Sequence, residues 1–363
     1  MTERWLVAMS GGVDSSVAAA LLAREGHEVV GVTMDLGGTP EPDAVSGASG
    51  KRCCGLPDAE DARSVAAALG IRHYVANYRK AFREAVIDPF IGAYAVGATP
   101  LPCVACNRVL KFDLLLGRAR ALGARGVATG HYARIAPGTD GALALFRATD
   151  RAKDQSYFLF DLPRKILPEI AFPLGNLQKS EVRKLARSLD LATADKPDSQ
   201  GICFIPDGNV RAGLRRLRPD DPAPEPGEIR ERDGNLRGTH SGAAGFTMGQ
   251  RKGLGLTDGP WYVTEVRPED NLLVVDRRDG LFRSAVEIAG ACWMDGEPPK
   301  GPVRVQVRHR HPSVLAGIKA DDPSRAWIEF ADPVWAPAPG QAAVVYDESD
   351  TRVLGGGWIA GSA

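Results

Sequence analysis

The chain has no apolar run of the ~18 residues that a bilayer-spanning helix needs, so no membrane span is expected. It has no excess of either charge: 45 Lys and Arg stand against 45 Asp and Glu in 363 residues. The chain as a whole therefore does not attract polyanions, and a nucleic acid partner has to be held by local basic patches. No internal repeat of fixed period is present. Six cysteines are too few for a secreted disulfide scaffold of this length. A reducing, cytoplasmic setting with catalytic or metal-binding thiols is expected instead. There is no second C-x-x-C, so a four-cysteine zinc site is not expected. The first apolar run begins by residue 5, so no signal peptide is expected. Length alone suggests two or three domains.

What is present centres on Trp5-Leu6-Val7-Ala8-Met9-Ser10-Gly11-Gly12-Val13-Asp14-Ser15-Ser16. Leu6 to Met9 is a short apolar run, read as a buried strand. From Asp14 to Arg24 the spacing is helical, and Gly26 stops the helix. The two glycines thus stand where a strand becomes a helix. Lacking Cβ atoms, they let backbone N–H groups curl around an anion, and the helix N-terminus adds positive potential. Ser10, Ser15 and Ser16 add hydroxyls, and Asp14 is a candidate to help hold Mg2+. A serine-capped glycine turn is the plainer alternative for a bare Gly-Gly. The full string is more specific: it lacks the Gly-Lys-Ser/Thr ending of Walker A and is not G-x-G-x-x-G. It resembles the SGGxDS loop of the PP-loop ATP pyrophosphatases, which cleave ATP to AMP and pyrophosphate.

Further strands are expected at Val29–Met34, Ile71–Ala76 and Val127–Thr129. Helices are expected at Asp58–Leu69, with Asp58 as N-cap, at Arg79–Val96, disturbed at Pro89, and at Arg108–Leu122. Residues 36–57 read as a Gly- and Pro-rich loop that holds Cys53 and Cys54 as loop residues. Strands alternating with helices imply an α/β domain with a parallel sheet covered on both faces. Ligands bind such sheets at the carboxyl ends of the strands, where the glycine loop, Met34 and Gly130 emerge. Residues 219–228 read as a linker. Beyond them, short alternating segments at 261–266, 271–275, 303–307, 326–330 and 342–346 form an all-β pattern.

Two cysteine islands interrupt this frame. In Thr99-Pro100-Leu101-Pro102-Cys103-Val104-Ala105-Cys106-Asn107-Arg108, two prolines make an extended approach and Cys106 is expected just before a helix. A helix N-terminus stabilises a thiolate and favours nucleophilicity. The C-x-x-C spacing equally fits a redox pair or half of a metal site. In Asp198-Ser199-Gln200-Gly201-Ile202-Cys203-Phe204-Ile205, a core cysteine competes with a polar lead-in that suggests a loop at a site. Cys292, between Ala291 and Trp293, is expected in a core.

With the glycine loop and both islands, the chain resembles the bacterial tRNA-uridine 2-sulfurtransferases (2-thiouridylases) of the MnmA family. The likeness extends to Gly130-His131-Tyr132-Ala133-Arg134, Lys153-Asp154-Gln155-Ser156-Tyr157-Phe158-Leu159 and Gly249-Gln250-Arg251-Lys252-Gly253-Leu254-Gly255. The resemblance implies a PP-loop domain at 1–207, a small central tRNA-contacting domain at 208–278 and a C-terminal β-barrel at 279–363. It implies ATP held by Ala8, Met9, Ser10, Gly11, Gly12, Val13, Asp14 and Ser15 with Met34 and Gly130. Cys203 would carry a persulfide received from a sulfur-donor protein. Cys106 would release the product sulfur, either by attacking the persulfide or by freeing hydrogen sulfide, leaving a transient Cys106–Cys203 disulfide. The substrate would be the wobble uridine of tRNA, contacted through Lys153, Asp154, Gln155, Arg308 and His309, and the protein would act as a monomer.

Two departures from the family pattern bear on mechanism. Leu101-Pro102-Cys103 stands where Asn-Pro-Asp is frequent, and Gly201 stands where an acid is common. Cys103, Cys106 and Cys203 could then share a [4Fe–4S] cluster, as related tRNA-thiolating enzymes do, and this is the alternative to the persulfide. Basic patches are sought at Arg211, Arg215, Arg216 and Arg218, and at Arg304, Arg308, His309, Arg310 and His311. Strand alternation would put Arg304, Arg308 and Arg310 on one side, although a solvated charged face is the ordinary reading of such clusters. Competing functions are another PP-loop adenylating synthetase, which leaves the cysteine islands without a purpose, and a nucleotide-binding module, which leaves the β part idle.

Overall fold

The computed structural model describes residues 2–37, 56–198 and 201–363. Cys53, Cys54, Ser199 and Gln200 lie outside the described residues. The chain divides into two compact units. One comprises 1–86 and 103–208, the other 87–102 and 209–363.

The first unit is built on a five-stranded parallel sheet. Its strands are β1 Arg4–Ala8, β2 Glu28–Asp35, β3 Arg72–Asn77, β4 Gly126–Thr129 and a two-residue strand, Ile170–Ala171, at the far edge. The order across the sheet is β3-β2-β1-β4 and then the edge strand. Leu6 and Val7 are fully enclosed, and every residue of β2 from Val29 to Met34 is buried. Such unbroken apolar runs need cover on both faces, which is what a parallel sheet receives. The chain supplies α1 Val13–Arg24, α2 Leu56–Ala68 and a later helix, Lys179–Ser188. Val7, Met9, Val17, Ala18, Leu22, Val65, Val182 and Ala186 meet in one core.

Strand order reverses beside β1. The connections from β1 to β2 to β3 move one way, and β4 then pairs on the other side of β1. The crevice at that reversal, at the carboxyl ends of β1 and β4, is where open parallel sheets take ligands. The glycine loop leaves β1 there, and Gly130 leaves β4.

α2 begins at Leu56, so Asp58 lies in its first turn and is not the N-cap. The helical run from Arg79 is disturbed as Pro89 requires, by a wide π-helical turn at Arg83–Ile87 just ahead of the proline. A larger difference concerns Cys106. Helical winding starts at Pro102 and runs without a break through Pro102–Ala105, the π-wound Cys106–Leu115 and Leu116–Ala121. Proline is favoured at the first helical position, where its missing N–H costs nothing. Cys103 therefore occupies the first turn and Cys106 the second.

The second unit holds two all-β parts. Strands Gly227–Glu231, Leu236–His240, Tyr262–Arg267 and Leu272–Asp276 form a four-stranded sheet around Phe246, Trp261, Val263 and Leu273. Six further strands, from Phe282–Trp293 to Val353–Ser362, close into an antiparallel barrel around Val286, Ile288, Val305, Ile328 and Val345. Cys292 lies on the first barrel strand and is half-buried. The strand that carries Arg304 ends at Gln306. His311 N–H closes a turn onto the Arg308 carbonyl, and Arg310 takes a φ of 65°. Arg304, Arg308 and Arg310 therefore do not share a strand face, because alternation stops where the strand does. No helix among the described residues is long and apolar enough to cross a membrane.

Candidate active site

The glycine loop has the local geometry of an anion cradle. Gly12 is the N-cap of α1 in an extended conformation and no side chain caps the helix. The first N–H groups of α1 are thus left for a ligand, which the helix dipole requires to be negative. Gly11 has φ 70°, and a Cβ there would lie 2.2 Å from the Asp58 carbonyl oxygen. Gly130 closes from the other strand: a Cβ on it would come within 2.6 Å of Ser15 N. Both glycines are therefore demanded by backbone approach. Gly12 meets nothing nearer than Ser10 Oγ at 3.7 Å.

Serines tie the loop together. Ser10 N–H donates to Ser15 Oγ at 3.2 Å, and Ser15 Oγ donates to the Gly12 carbonyl at 3.1 Å. Ser16 Oγ donates to the same carbonyl at 2.9 Å, and Thr193 Oγ1 donates to Ser16 Oγ at 3.0 Å. Thr33 Oγ1 holds the Met9 carbonyl at 2.8 Å, so β2 fixes the start of the loop. Ala8, Met9, Val13 and Met34 are buried around it.

Asp14 does not face an open metal site. Its Oδ1 and Oδ2 each accept from Lys179 Nζ at 2.7 Å, and Oδ1 accepts from Tyr132 Oη at 2.8 Å. Burial, and next the Asp14 charge, hold the Tyr132 hydroxyl far above the usual phenol range, so it stays a donor. The Lys179 ammonium also reaches Asp198 Oδ1 at 2.8 Å. Asp198 accepts from Lys153 Nζ at 2.8 Å and from Arg183 Nη2 at 3.0 Å. Burial works against its charge, but the Lys153 and Lys179 bonds prevail and hold its carboxyl at about 2. Among the described residues no group of three or more His, Cys, Asp or Glu side chains is arranged to hold a metal ion. Cys103, Cys106 and Cys203 are thus not gathered as a ligand set, and Asp14 is the loop's single carboxylate. This donor set fits neither a protein-built Mg2+ cage nor a [4Fe–4S] cluster.

The cysteine islands belong to the same unit. Cys103, Cys106 and Cys203 are each half-buried. Asn107, beside Cys106, donates to the Phe158 carbonyl at 3.0 Å and accepts from Lys111 Nζ at 2.8 Å. Lys111 lies 3.3 Å from His131 Nε2, just past the end of β4. Burial, with Lys111 next, drives the His131 pKa well below its normal value, so the ring is neutral. The Cys106 helix is thereby tied to the strand end that carries Gly130. Cys203 sits in a run of turns, and Phe204 packs edge-on against Phe82 at 5.7 Å. Arg79–Phe82 in turn packs against Cys106–Leu115. Both islands thus converge on one short helix.

The expected RNA residues divide. Asp154 is buried and spent on Arg147 Nη1 at 2.9 Å, Ala148 N–H and Ser156 Oγ. Gln155 clamps the Tyr132 backbone, its Oε1 accepting at 3.0 Å. Lys153 is bonded to Asp198. Arg308 donates to the Ala336 carbonyl at 2.8 Å and lies over the Trp335 ring, and His309 beside it is half-buried. In the helix Val210–Leu217, Arg211 stacks on Phe246, while Arg215 is exposed.

Lys179 was missed by sequence reasoning, and Lys196 was read only as part of the polar lead-in to the Cys203 island. One signal was available for Lys179. Gln178 and Glu181 form a capping box, which makes Lys179 the first residue of its helix. A cation there opposes the helix dipole and calls for nearby anions.

Comparison with known proteins finds relatives along nearly the whole chain. Residues 3–207 match the family model described as tRNA methyl transferase HUP domain. Residues 221–277 match a tRNA methyl transferase PRC-barrel domain, and residues 283–359 an aminomethyltransferase beta-barrel domain. A tRNA-specific 2-thiouridylase MnmA of Rhodospirillum rubrum is 45% identical over 372 residues, covering 99% of this chain and 96% of that protein. The protein of that name from Chloroflexus aurantiacus is 47% identical over 358 residues, with 98% of each chain covered. That of Solibacter usitatus is 47% identical over 366 residues, covering 97% of this chain and 98% of its own.

Proposed function

Because the chain belongs to the tRNA-specific 2-thiouridylase family, we propose that it is a sulfurtransferase that installs sulfur at C2 of the wobble uridine of tRNA at the expense of ATP. The observation that carries this reading is the uncapped, glycine-built N-terminus of α1, set at the strand-order reversal in the same unit as Cys106 and Cys203.

A carbonyl oxygen is a poor leaving group, and adenylation makes it a good one. The C2 oxygen of uracil attacks the α-phosphorus of ATP and pyrophosphate departs. Backbone N–H groups around Gly11 and Gly12, with Ser10 and Ser15, hold the phosphates. Gly130 lets β4 approach close enough to complete the cradle. Cys203 carries the sulfane sulfur as a persulfide from a donor protein, and this terminal sulfur attacks C2. AMP leaves with the original oxygen. Cys106 thiolate then attacks Cys203 Sγ, which breaks the sulfur–sulfur bond, leaves the terminal sulfur on the uracil and forms a Cys106–Cys203 disulfide. Two electrons from an external dithiol, or from two thiols in succession, reset the pair. Arg308 and His309 are assigned to tRNA phosphates. Asp154 and Gln155 act inside the protein by fixing Arg147 and Tyr132.

Incubation of purified protein with tRNA, ATP and a persulfide-charged donor, with an external dithiol as reductant, tests the reading. Nucleoside digestion is expected to yield 2-thiouridine in an ATP-dependent manner. AMP formed without thiolation, from an amine or other acceptor, would favour a different adenylating synthetase.

A further inference from the structure

The segment 194–198 leads to Cys203 and is fastened to the glycine loop at two points. Lys196 Nζ donates to the Gly11 carbonyl at 3.0 Å and to Asp58 Oδ1 at 2.7 Å, and it also pairs with Asp61. Asp198 is joined to Asp14 through the shared ammonium of Lys179, at 2.7 Å on one side and 2.8 Å on the other. Arg183 holds the same segment by the Ala194 and Lys196 carbonyls and by Asp198. Lys179 itself is rigidly placed. Its helix carries a capping box, its N–H donates to Asp150 Oδ2 at 2.9 Å, and its side chain is only 11% exposed. Asp14 is more open, at 32%.

We propose that Lys179 is a positioning residue that couples nucleotide occupancy at the glycine loop to the reactivity of Cys203. The idea rests on the loop being the ATP site. A polyphosphate arriving beside Asp14 competes for the one ammonium that Asp14 and Asp198 share. The ammonium moves toward the greater negative charge, since attraction between near charges grows as partners accumulate. Asp198 is left with Lys153 and Arg183 alone, and the segment that enters the Cys203 turns loses its tie to Asp14. With that tie gone the segment is held to the loop by Lys196 alone, and Cys203 gains freedom to attack when the nucleotide is in place. An unneeded persulfide is kept from reacting, because Lys179 holds the segment while the loop is empty.

The test uses the full chain and α,β-methylene ATP, which cannot be cleaved at the bond the reaction breaks. Its affinity is measured by equilibrium dialysis, and the alkylation rate of Cys203 by peptide mass spectrometry. In the native sequence, saturating analogue is expected to raise the Cys203 rate by about tenfold, equivalent to about 1.4 kcal/mol, and a fall would overturn the proposal. In Lys179→Met the analogue should bind more weakly, since the ammonium it draws is gone; at concentrations shown by dialysis to saturate the variant, the Cys203 response should fall below about twofold, and Lys179→Arg should recover part of it. If Lys179→Met does not fold, Asp198→Asn cuts the other end of the bridge and should lose the response in the same way. A Lys179→Met or Asp198→Asn protein with the native response, or a native protein whose Cys203 ignores bound analogue, overturns the proposal. Failure of the native protein to bind the analogue at all overturns the ATP site and this proposal together.

Discussion

Gly11→Ala is the sharpest structural perturbation of the loop. Gly11 has φ 70°, and an added Cβ would stand 2.2 Å from the Asp58 carbonyl oxygen, 2.8 Å from its carbonyl carbon and 2.8 Å from its Cα. All three are backbone atoms of α2, so no rotamer change relieves them. Ordinary contact requires the two backbones to separate by roughly 1 Å or more. A left-handed alanine costs about 1–2 kcal/mol and overpacking of this kind about 1–3 kcal/mol, so a loss of about 2–5 kcal/mol is expected. That is a large share of the stability of an ordinary domain. The shift also drags Asp58 from Lys196, whose ammonium holds the Gly11 carbonyl. Urea unfolding followed by far-UV circular dichroism reads the loss directly. Gly12→Ala is the control. Its methyl meets only Ser10 Oγ, so its unfolding free energy should fall by no more than about 1 kcal/mol, the cost of alanine at an N-cap, while nucleotide binding weakens because the methyl enters the cradle. A Gly11→Ala protein as stable as Gly12→Ala would refute the argument.

Cys106→Ser and Cys203→Ser should each abolish turnover, since a hydroxyl neither carries a sulfane sulfur nor matches a thiolate as nucleophile near neutral pH. Cys103→Ala should keep most activity in aerobically purified protein, and iron-loaded protein that loses activity on that change would replace the persulfide with a cluster. Paired Arg308→Glu and Arg310→Glu should weaken tRNA binding and lower the slope of log affinity against log salt; an unchanged slope removes this turn from the RNA surface. Burial, against the opposing pull of Arg108, pushes the Asp161 carboxyl up to about 7. The folded value lies above the unfolded ~3.9, so the contribution is full below pH ~4 and is lost as pH rises through ~7. Asp161→Asn should therefore flatten the stability curve between those limits, and a curve parallel to the native one would contradict the assignment.

Much of the α/β unit was legible because its strands are short unbroken apolar runs. Val29–Met34 and Val127–Thr129 appear within a residue or two of their observed ends. The glycine loop was legible for a different reason, since only a turn between strand and helix explains Gly11 and Gly12. The start of the cysteine helix was misjudged because Pro102 was read as a barrier, when a proline at the first helical position is favoured. The arginine face failed at Gln306, where His311 N–H turns the chain back onto Arg308. The barrel strand Phe282–Trp293 was passed over: its alternation is broken by small residues, and its partners lie far along the chain. The Asp14–Lys179–Asp198 bridge could not be read at all. Its members are 165 residues apart at one end, and only the fold brings them together.

The central claim is that the uracil C2 oxygen is adenylated and then displaced by sulfur. The most direct test uses tRNA labelled with 18O at C2 of the target uridine, the purified protein, ATP and a persulfide-charged donor, with mass spectrometry of both products. The account predicts one AMP per 2-thiouridine, with the 18O label in the phosphate of AMP. Thiolation with the label lost to water, or labelled pyrophosphate in place of labelled AMP, would contradict it.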